Sequence, residues 1–485
     1  MVEKKIDNIH QIFISDSKIT QRSISGISKS NMISFINTYK EANYFLWDNE
    51  KIISLIEKNF PPEVINSYKK LHAYTAKADL ARYCILYIYG GIYSDFSNKF
   101  FRRISIKQSI NLFIFRDSEP YGTACWAATS TIFFAEPRQI ELKIAIEIIV
   151  RNTNNRYYGT NSLCPTGPIM LGRALAFVNR NLYYGCGTMV AVSAKYKNRN
   201  HVFLDEEGNL IALRTQGSGG KPKSIGLKGT NDYNKIWNRR NYYNEKAIDR
   251  LRYLNIFSKK NSNPPIKLFN FIKKFIIKNN FNENSYKDHK FYVHINGDNV
   301  PPSSNFRIYT ENDIFDIIYN NFSSEILDVF TKTNSCELKK YIGCLCILFV
   351  RGGIFINHDI EMIEDFNMPF GKKLAVFRNV SSVNSNPWAI NPSVIQSAPM
   401  NREIKLSIEL IKINIKISND KKIKYYELVS DIIGRSMAII YSQDEYWCGE
   451  TIRIIGNKLG SCALISPNGK MIAQQIRPFE ESGRV

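Results

Sequence analysis

The chain has 485 residues and carries 65 Lys and Arg against 44 Asp and Glu, a formal charge of +21, with 44% hydrophobic and 13% aromatic residues. That length exceeds one ordinary core and predicts two domains, and the composition excludes a disordered or fibrous chain. Nine scattered cysteines with no C-x-x-C pair argue against a disulfide scaffold or a zinc knuckle, and for free, mostly buried thiols in a reducing compartment.

The charged start, MVEKKIDNIHQIF, lacks the apolar run of a secretion signal. No uninterrupted apolar stretch approaches the ~20 residues needed to span a bilayer. A soluble, cytoplasmic protein with no transmembrane segment is therefore expected. The positive charge suits an anionic partner such as nucleotide phosphates, an acidic polymer, nucleic acid or anionic lipid. Joint overuse of Lys, Ile and Asn also points to compositional drift, and no RNA or DNA motif is present, so no nucleic-acid partner is expected.

In chain order, Ile9–Ser15 (IHQIFIS) reads as a first strand, residues 16–42 are weakly patterned, and Tyr44–Trp47 reads as a second strand. Lys51–Lys58 has helical spacing and is ended by Pro61-Pro62. Lys77–Ser97, KADLARYCILYIYGGIYSDFS, reads as a helix that stops at Gly90-Gly91 and hands over to a short strand, Ile92–Asp95. Leu112–Phe115 and Ser130–Ala135 are further strands, and Ile140–Val150 and Ile169–Val178 are helices. His201–Arg214 is a hairpin turning near Glu207-Gly208. Gly217–Tyr243 is a Gly-rich, basic loop ending in aromatics. Strands alternating with helices predict α/β layers on a mainly parallel sheet.

The second half echoes the first. Gly352-Gly353 follows Gly90-Gly91 by 262 residues, and the same offset aligns Trp126 with Trp388, Pro137 with Pro399 and Gly172-Arg173 with Gly434-Arg435. A constant offset over this span predicts two similar domains in tandem. The boundaries read as 1–243, a basic, partly helical connector at 244–290, and 291–485.

Within the central stretch, Leu80, Cys84, Tyr87 and Ile88 mark one buried helix face. Asp79 and Arg82, three apart, are neighbours at its edge. On the following strand Tyr93, Asp95 and Ser97 alternate to one side. Acids, base and phenol thus meet at the carboxyl end of a strand, where open α/β sheets bind ligands. Taken one at a time, Asp79 and Arg82 also fit an ordinary surface pair, and Asp95 a turn residue.

The pattern (S/A)-D-x-x-R-Y-x-x-L-Y-x-Y-G-G-I-Y-x-D-x-D is matched at Ala78, Asp79, Arg82, Tyr83, Leu86, Tyr87, Tyr89, Gly90, Gly91, Ile92, Tyr93 and Asp95. It resembles the DxD sugar-binding glycosyltransferases of family 32, which are similar to the glucosyltransferase domain of large clostridial toxins and to the yeast initiating mannosyltransferase. Ile9-His10-Gln11-Ile12-Phe13 resembles the family's opening I-H-Q-I-W strand, Trp47-Asp48 its second strand end, and Thr166-Gly167-Pro168 lies at the family's distance. The resemblance implies an α/β fold of two tandem GT-A-like (Rossmann-like, nucleotide-sugar-binding) domains. It also implies a nucleotide-diphosphate sugar donor, hexose transfer with retention, and a glycan or protein acceptor. By matching position, Phe13 would stack on the base, and Asp79 and Arg82 would bind the sugar hydroxyls. Tyr93 would line the donor pocket, Asp95 would hold the ribose and a divalent cation (Mn²⁺ or Mg²⁺), and Trp237 would close over the donor as part of a lid.

The chain departs from D-x-D at Ser97, whose hydroxyl is a weaker metal ligand than a carboxylate. Asp232 or Asn231 could complete the metal shell, or Lys221, Lys223 and Lys228 could replace the ion. In the second copy Asp79 becomes Tyr341, Arg82 becomes Cys344 and Asp95 becomes Asn357. Residues 291–485 thus read as a degenerate, non-catalytic repeat, in which Asn357-His358-Asp359 is a relic with His358 pointing away from its neighbours on a strand. The alternative function is a non-catalytic nucleotide-sugar or glycan-binding protein. A bacterial or viral origin fits the missing membrane anchor.

Overall fold

A computed structural model describes residues 3–15, 21–117, 124–178, 184–192, 201–214, 233–244, 290–293, 295, 306–366, 368–369, 371–379, 386–417, 425–440, 445–454 and 462–475. Asn231, Asp232, Lys221, Lys223, Lys228 and nearly all of the expected connector lie outside them. The chain divides into two compact units, one of Met1–Ser118, Ala127–Phe271 and Ser381–Pro387, the other of Glu119–Trp126, Ile272–Val380 and Trp388–Val485.

In the first unit nine strands form one sheet. They are β1 (Asn8–Ile12), β2 (Asn43–Trp47), β3 (Gly91–Ser94), β4 (Asn98–Phe100), β5 (Leu112–Arg116), β6 (Ala128–Ala135), β7 (Gly185–Ala191), β8 (His201–Leu204) and β9 (Leu210–Arg214), in the order β2-β1-β3-β6-β5-β7-β8-β9-β4. β1 pairs in parallel with β2 on one side and β3 on the other. Chain order therefore reverses at β1/β3, which makes a crevice at their carboxyl ends. Ile9, Phe35, Ile92, Phe113, Phe115 and Ile132 belong to one hydrophobic core cluster of this unit.

The helices are α1 (Gly26–Thr38), α2 (Asn49–Asn59), α3 (Pro62–Lys70), α4 (Tyr74–Tyr89), α5 (Ile140–Asn154), α6 (Pro168–Ala176) and α7 (Tyr233–Asn238). α4 packs on α5, and α5 on α6. Two features of the sequence position the site. Gly90 has φ +62° and ψ −167°, and Gly91 φ +97°. A Cβ on Gly90 would lie 2.6 Å from Pro137 Cδ, and one on Gly91 2.2 Å from the Asn8 carbonyl oxygen. Only glycine accommodates both the backbone angle and the close approach. Gly90 ends the helix with positive φ but an extended ψ, so the chain passes straight into β3 instead of curling into the usual left-handed cap.

The second unit has β10 (Lys290–Val293), β11 (Arg307–Tyr309), β12 (Gly353–Ile356), β13 (Ile360–Met362), β14 (Leu374–Arg378), β15 (Ile390–Ser397), β16 (Tyr446–Arg453), β17 (Cys462–Ile465) and β18 (Met471–Gln475). Their order is β11-β10-β12-β15-β14-β16-β17-β18-β13, which is the first unit's order strand for strand. Its helices are α8 (Glu311–Asn321), α9 (Ser324–Lys332), α10 (Cys336–Arg351), α11 (Arg402–Ile417) and α12 (Tyr425–Ile440). Gly352 repeats Gly90, with φ +68°, ψ −163° and an added Cβ 2.7 Å from Pro399 Cδ. The α/β class and the two units of matching strand order agree with the sequence reading.

Three local expectations are corrected. The sheets are mixed, not mainly parallel. In the first unit β1–β2, β1–β3 and β5–β7 are parallel, whereas β6 is antiparallel to both β3 and β5, β7, β8 and β9 form an antiparallel meander, and β4 adds antiparallel to β9. Residues 26–38, unpatterned in the sequence, form α1. Its buried side includes Ser28 and Asn31, which dilute the apolar period, and Asn31 donates to the Phe96 carbonyl at 2.8 Å. β3 ends at Ser94, so Asp95–Ser97 form a turn and not a continuing strand, closed by Asn98 N–H to Asp95 O at 3.2 Å. The same holds for 357–359 after β12, where His358 Nδ1 lies 3.2 Å from Asn357 Oδ1 and Gln475 donates to Asp359 at 2.6 Å.

Candidate active site

The site sits beside the β1/β3 crevice. α4 brings Asp79 and Arg82 onto one side, one turn apart. β3 delivers Tyr93 and, just beyond its end, Asp95, whose N–H donates to Thr131 O at 2.8 Å. Arg82 is the hub. Its Nη2 lies 3.4 Å from Asp79 Oδ1 and 3.5 Å from Asp95 Oδ1. Its Nε donates to Ala78 O at 3.1 Å, and its Nη1 to both the carbonyl and the hydroxyl of Ser130. The guanidinium carbon lies 4.6 Å from the centre of the Tyr93 ring, and the Tyr93 hydroxyl donates to Asp95 Oδ1 at 2.6 Å. A planar five-donor group can serve this many partners at once; a lysine could not.

Asp79 and Arg82 are 5% and 3% exposed, so they lie inside the unit and not on a helix edge. The Asp95 side chain is 25% exposed and forms the solvent-facing member. Burial pushes the Asp79 carboxyl up to about 6, against the pull of Arg82 and of the Thr166 and Ser130 hydroxyls. Burial works against the Arg82 charge too, but Tyr93, Asp95 and Asp79 outweigh it and raise its pKa. Burial likewise raises the Tyr93 phenol, which stays a hydrogen-bond donor.

Beyond the residues read from the sequence, Ser130 on β6 donates to Asp79 Oδ1 at 3.3 Å and Thr166 to Asp79 Oδ2 at 2.7 Å. Thr166 Oγ1 in turn lies 2.9 Å from the Tyr242 hydroxyl. Gly167, the N-cap of α6, would place a Cβ 3.7 Å from Asp79 Oδ2, so Asp79 faces the positive end of that helix. Ser130 could have been noticed from Thr129-Ser130-Thr131, three hydroxyls heading an otherwise apolar strand. Tyr242 left no local signal.

The remaining expected residues lie apart from this cluster. Phe13 is 3% exposed, packed among Ile24, Met32, Leu46 and Phe96 and edge-on to Phe96 at 5.5 Å. Stacking on a base would require these neighbours to move. Ser97 is buried in the turn after Asp95. Trp237 is pinned to the protein, its indole N–H donating to Tyr158 O at 2.8 Å, with Arg240 5.0 Å from its ring. His10 ties the opening strand to the glycine pair. Its Nδ1 accepts from the Trp47 indole at 3.2 Å, so Nε2 carries the proton toward Gly90 O at 2.9 Å. Burial lowers its pKa to about 4, and it stays neutral.

Among the described residues the donor set is too small for a directly bound divalent cation. At the D-x-D place it offers one carboxylate, Asp95, whose Oδ1 already serves Tyr93 and Arg82, and one neutral hydroxyl, Ser97. Among the described residues there is no group of three His, Cys, Asp or Glu that could hold a metal ion.

Residues 28–111 match the family described as "Glycosyltransferase sugar-binding region containing DXD motif". This stretch is thus similar to DXD-type glycosyltransferase sugar-binding regions. It runs from α1 past β4 and includes Asp79, Arg82, Tyr93 and Asp95, whereas Ser130, Thr166 and Tyr242 lie outside it. A 49-residue stretch is 51% identical to an "Uncharacterized glycosyltransferase" of Acanthamoeba polyphaga mimivirus, covering 10% of this chain and 20% of that protein. The chain thus matches about a fifth of that relative's length. The solved "PaToxG Glycosyltransferase" aligns at 20% identity over 36% of this chain and 69% of its own, with a TM-score of 0.25. Among the described residues no helix is long and apolar enough to cross a membrane.

Proposed function

We propose that the chain is a nucleotide-sugar-dependent glycosyltransferase that moves a hexose, with retention, from a nucleotide-diphosphate sugar to a glycan or protein acceptor. The reading is supported by one observation: a guanidinium held between two carboxylates at the β1/β3 crevice, inside the stretch that matches a glycosyltransferase sugar-binding region. Asp95, the exposed member, meets the donor first, at its ribose. Asp79 and Arg82, behind it, present charge-assisted hydrogen bonds to the sugar hydroxyls. Arg82 also keeps positive charge where the leaving diphosphate gains negative charge. We assign this chemistry to residues 1–243. Residues 291–485 act as support or acceptor platform, because Tyr341, Cys344 and Asn357 replace the charged set there. Burial raises the Cys344 thiol well above its ordinary value, leaving it inert.

The experiment is release of nucleotide from a panel of nucleotide sugars, with and without Mn²⁺, and the anomeric configuration of the product by NMR. Turnover abolished in Asp79→Ala and Asp95→Ala but retained in Asn357→Ala supports the reading. A second reading, a nucleotide-sugar or glycan-binding protein without turnover, is favoured by the incomplete D-x-D donor set. Donor binding by calorimetry with no released nucleotide would establish it instead.

A further inference from the structure

We propose that Tyr242 is a positioning residue that fixes the Asp79 carboxylate through the Thr166 hydroxyl. The consequence for turnover rests on the glycosyl-transfer reading above, but the structural claim does not.

The direction of the hydrogen bonds follows from donor counting. Thr166 Oγ1 lies 2.7 Å from Asp79 Oδ2 and 2.9 Å from the Tyr242 hydroxyl. A threonine hydroxyl has one proton and an ionised carboxylate has none. Thr166 therefore donates to Asp79, and Tyr242 donates to Thr166. Each donation polarises the next, so the short chain is stronger than its links taken singly.

Tyr242 is held firmly enough for this task. It is 1% exposed, and its ring packs edge-on to Tyr243 at 5.3 Å and to Tyr158 at 6.4 Å. Its carbonyl accepts from His72 N–H at 3.0 Å, and His72 Nδ1 lies 3.0 Å from Asn241 O. Asn244 N–H donates to Lys70 O at 2.7 Å, and Leu71 and Tyr243 form an antiparallel bridge. The segment after α7 is thus fastened to residues 70–72, immediately before α4, the helix that carries Asp79. With Oδ2 engaged by Thr166, Asp79 Oδ1 is left to Ser130 and Arg82, on the side that leads to Asp95.

The test uses the full chain labelled with aspartate enriched in carboxyl ¹³C. The Asp79 resonance is the one missing in Asp79→Asn. At a fixed pH of about 8, where the carboxyl is ionised, Tyr242→Phe and Thr166→Val should move that resonance in the same direction, and Thr166→Ser should keep it in place. In the nucleotide-release assay, Tyr242→Phe should lower kcat/KM by about tenfold, the effect of one buried hydrogen bond. An unmoved Asp79 resonance in folded Tyr242→Phe overturns the proposal, even if the variant melts at a lower temperature. If the wild-type chain releases no nucleotide from any donor, the glycosyl-transfer reading fails, while the carboxyl resonance still decides the role of Tyr242.

Discussion

The Tyr93 hydroxyl donates to Asp95 Oδ1 at 2.6 Å across two residues of chain. This contact aims the one partly exposed carboxylate of the cluster, because the Tyr93 ring is itself fixed beneath the Arg82 guanidinium. Tyr93→Phe keeps the ring and removes the aim. Nucleotide release should fall by about tenfold, and the unfolding midpoint in urea should fall with it, because a charge-assisted hydrogen bond to a partly exposed group contributes about 1–2 kcal/mol.

Arg82 separates two carboxylates that would otherwise face each other in a buried site. Arg82→Ala should destabilise the first unit by about 3–5 kcal/mol at neutral pH, the penalty for leaving buried charge unpaired. Part of that loss should return at acidic pH, as the carboxylates take up protons. Arg82→Lys should rescue only partly, because one ammonium cannot span Ser130, Asp79 and Asp95. Denaturation curves at two pH values check both statements.

The Asp79 carboxyl, raised to about 6 by burial, sets a pH dependence of known sign. Its folded value lies above its unfolded value, so the folded state binds the extra proton. The resulting stabilisation is full below the unfolded value near 4 and is lost as pH rises through about 6. Relative to Asp79→Asn, the wild-type chain should therefore lose stability between about pH 4 and 6.5, by about 3 kcal/mol at most. Thermal melts of the two proteins across that range decide it. A difference that grows in the opposite direction would contradict the buried, proton-binding Asp79 described above.

Gly90 and Gly352 occupy matching places with nearly equal backbone angles. Gly90→Ala and Gly352→Ala should each destabilise their own unit by about 2 kcal/mol or more, from the backbone conformation and the clash with proline together. Hydrogen exchange should show the loss locally, in β3 for the first and in β12 for the second.

Ser97→Asp restores the second carboxylate of D-x-D. It should tighten Mn²⁺ binding, read by calorimetry. The substitution buries a second acid near Asp95, so it should also lower stability at neutral pH relative to the wild-type chain.

The sequence by itself determined what depends on neighbours along the chain. Period and punctuation located β1, α2, α4, α5, α6 and the β8–β9 hairpin. The i, i+3 spacing of Asp79 and Arg82, followed by Gly-Gly and a short strand, was enough to bring those two residues and Asp95 together. Only the tertiary structure decided the rest. The contacts that hold Asp79 join residues 51 and 87 positions apart, and Tyr242 reaches Thr166 across 76. The antiparallel course of β6, the helix at 26–38 and the burial of Phe13 likewise follow from packing between distant segments. So does the depth of Asp79 and Arg82. Spacing along a helix puts two side chains on one side of it, but whether that side meets water or protein is set by what the remainder of the chain lays over it.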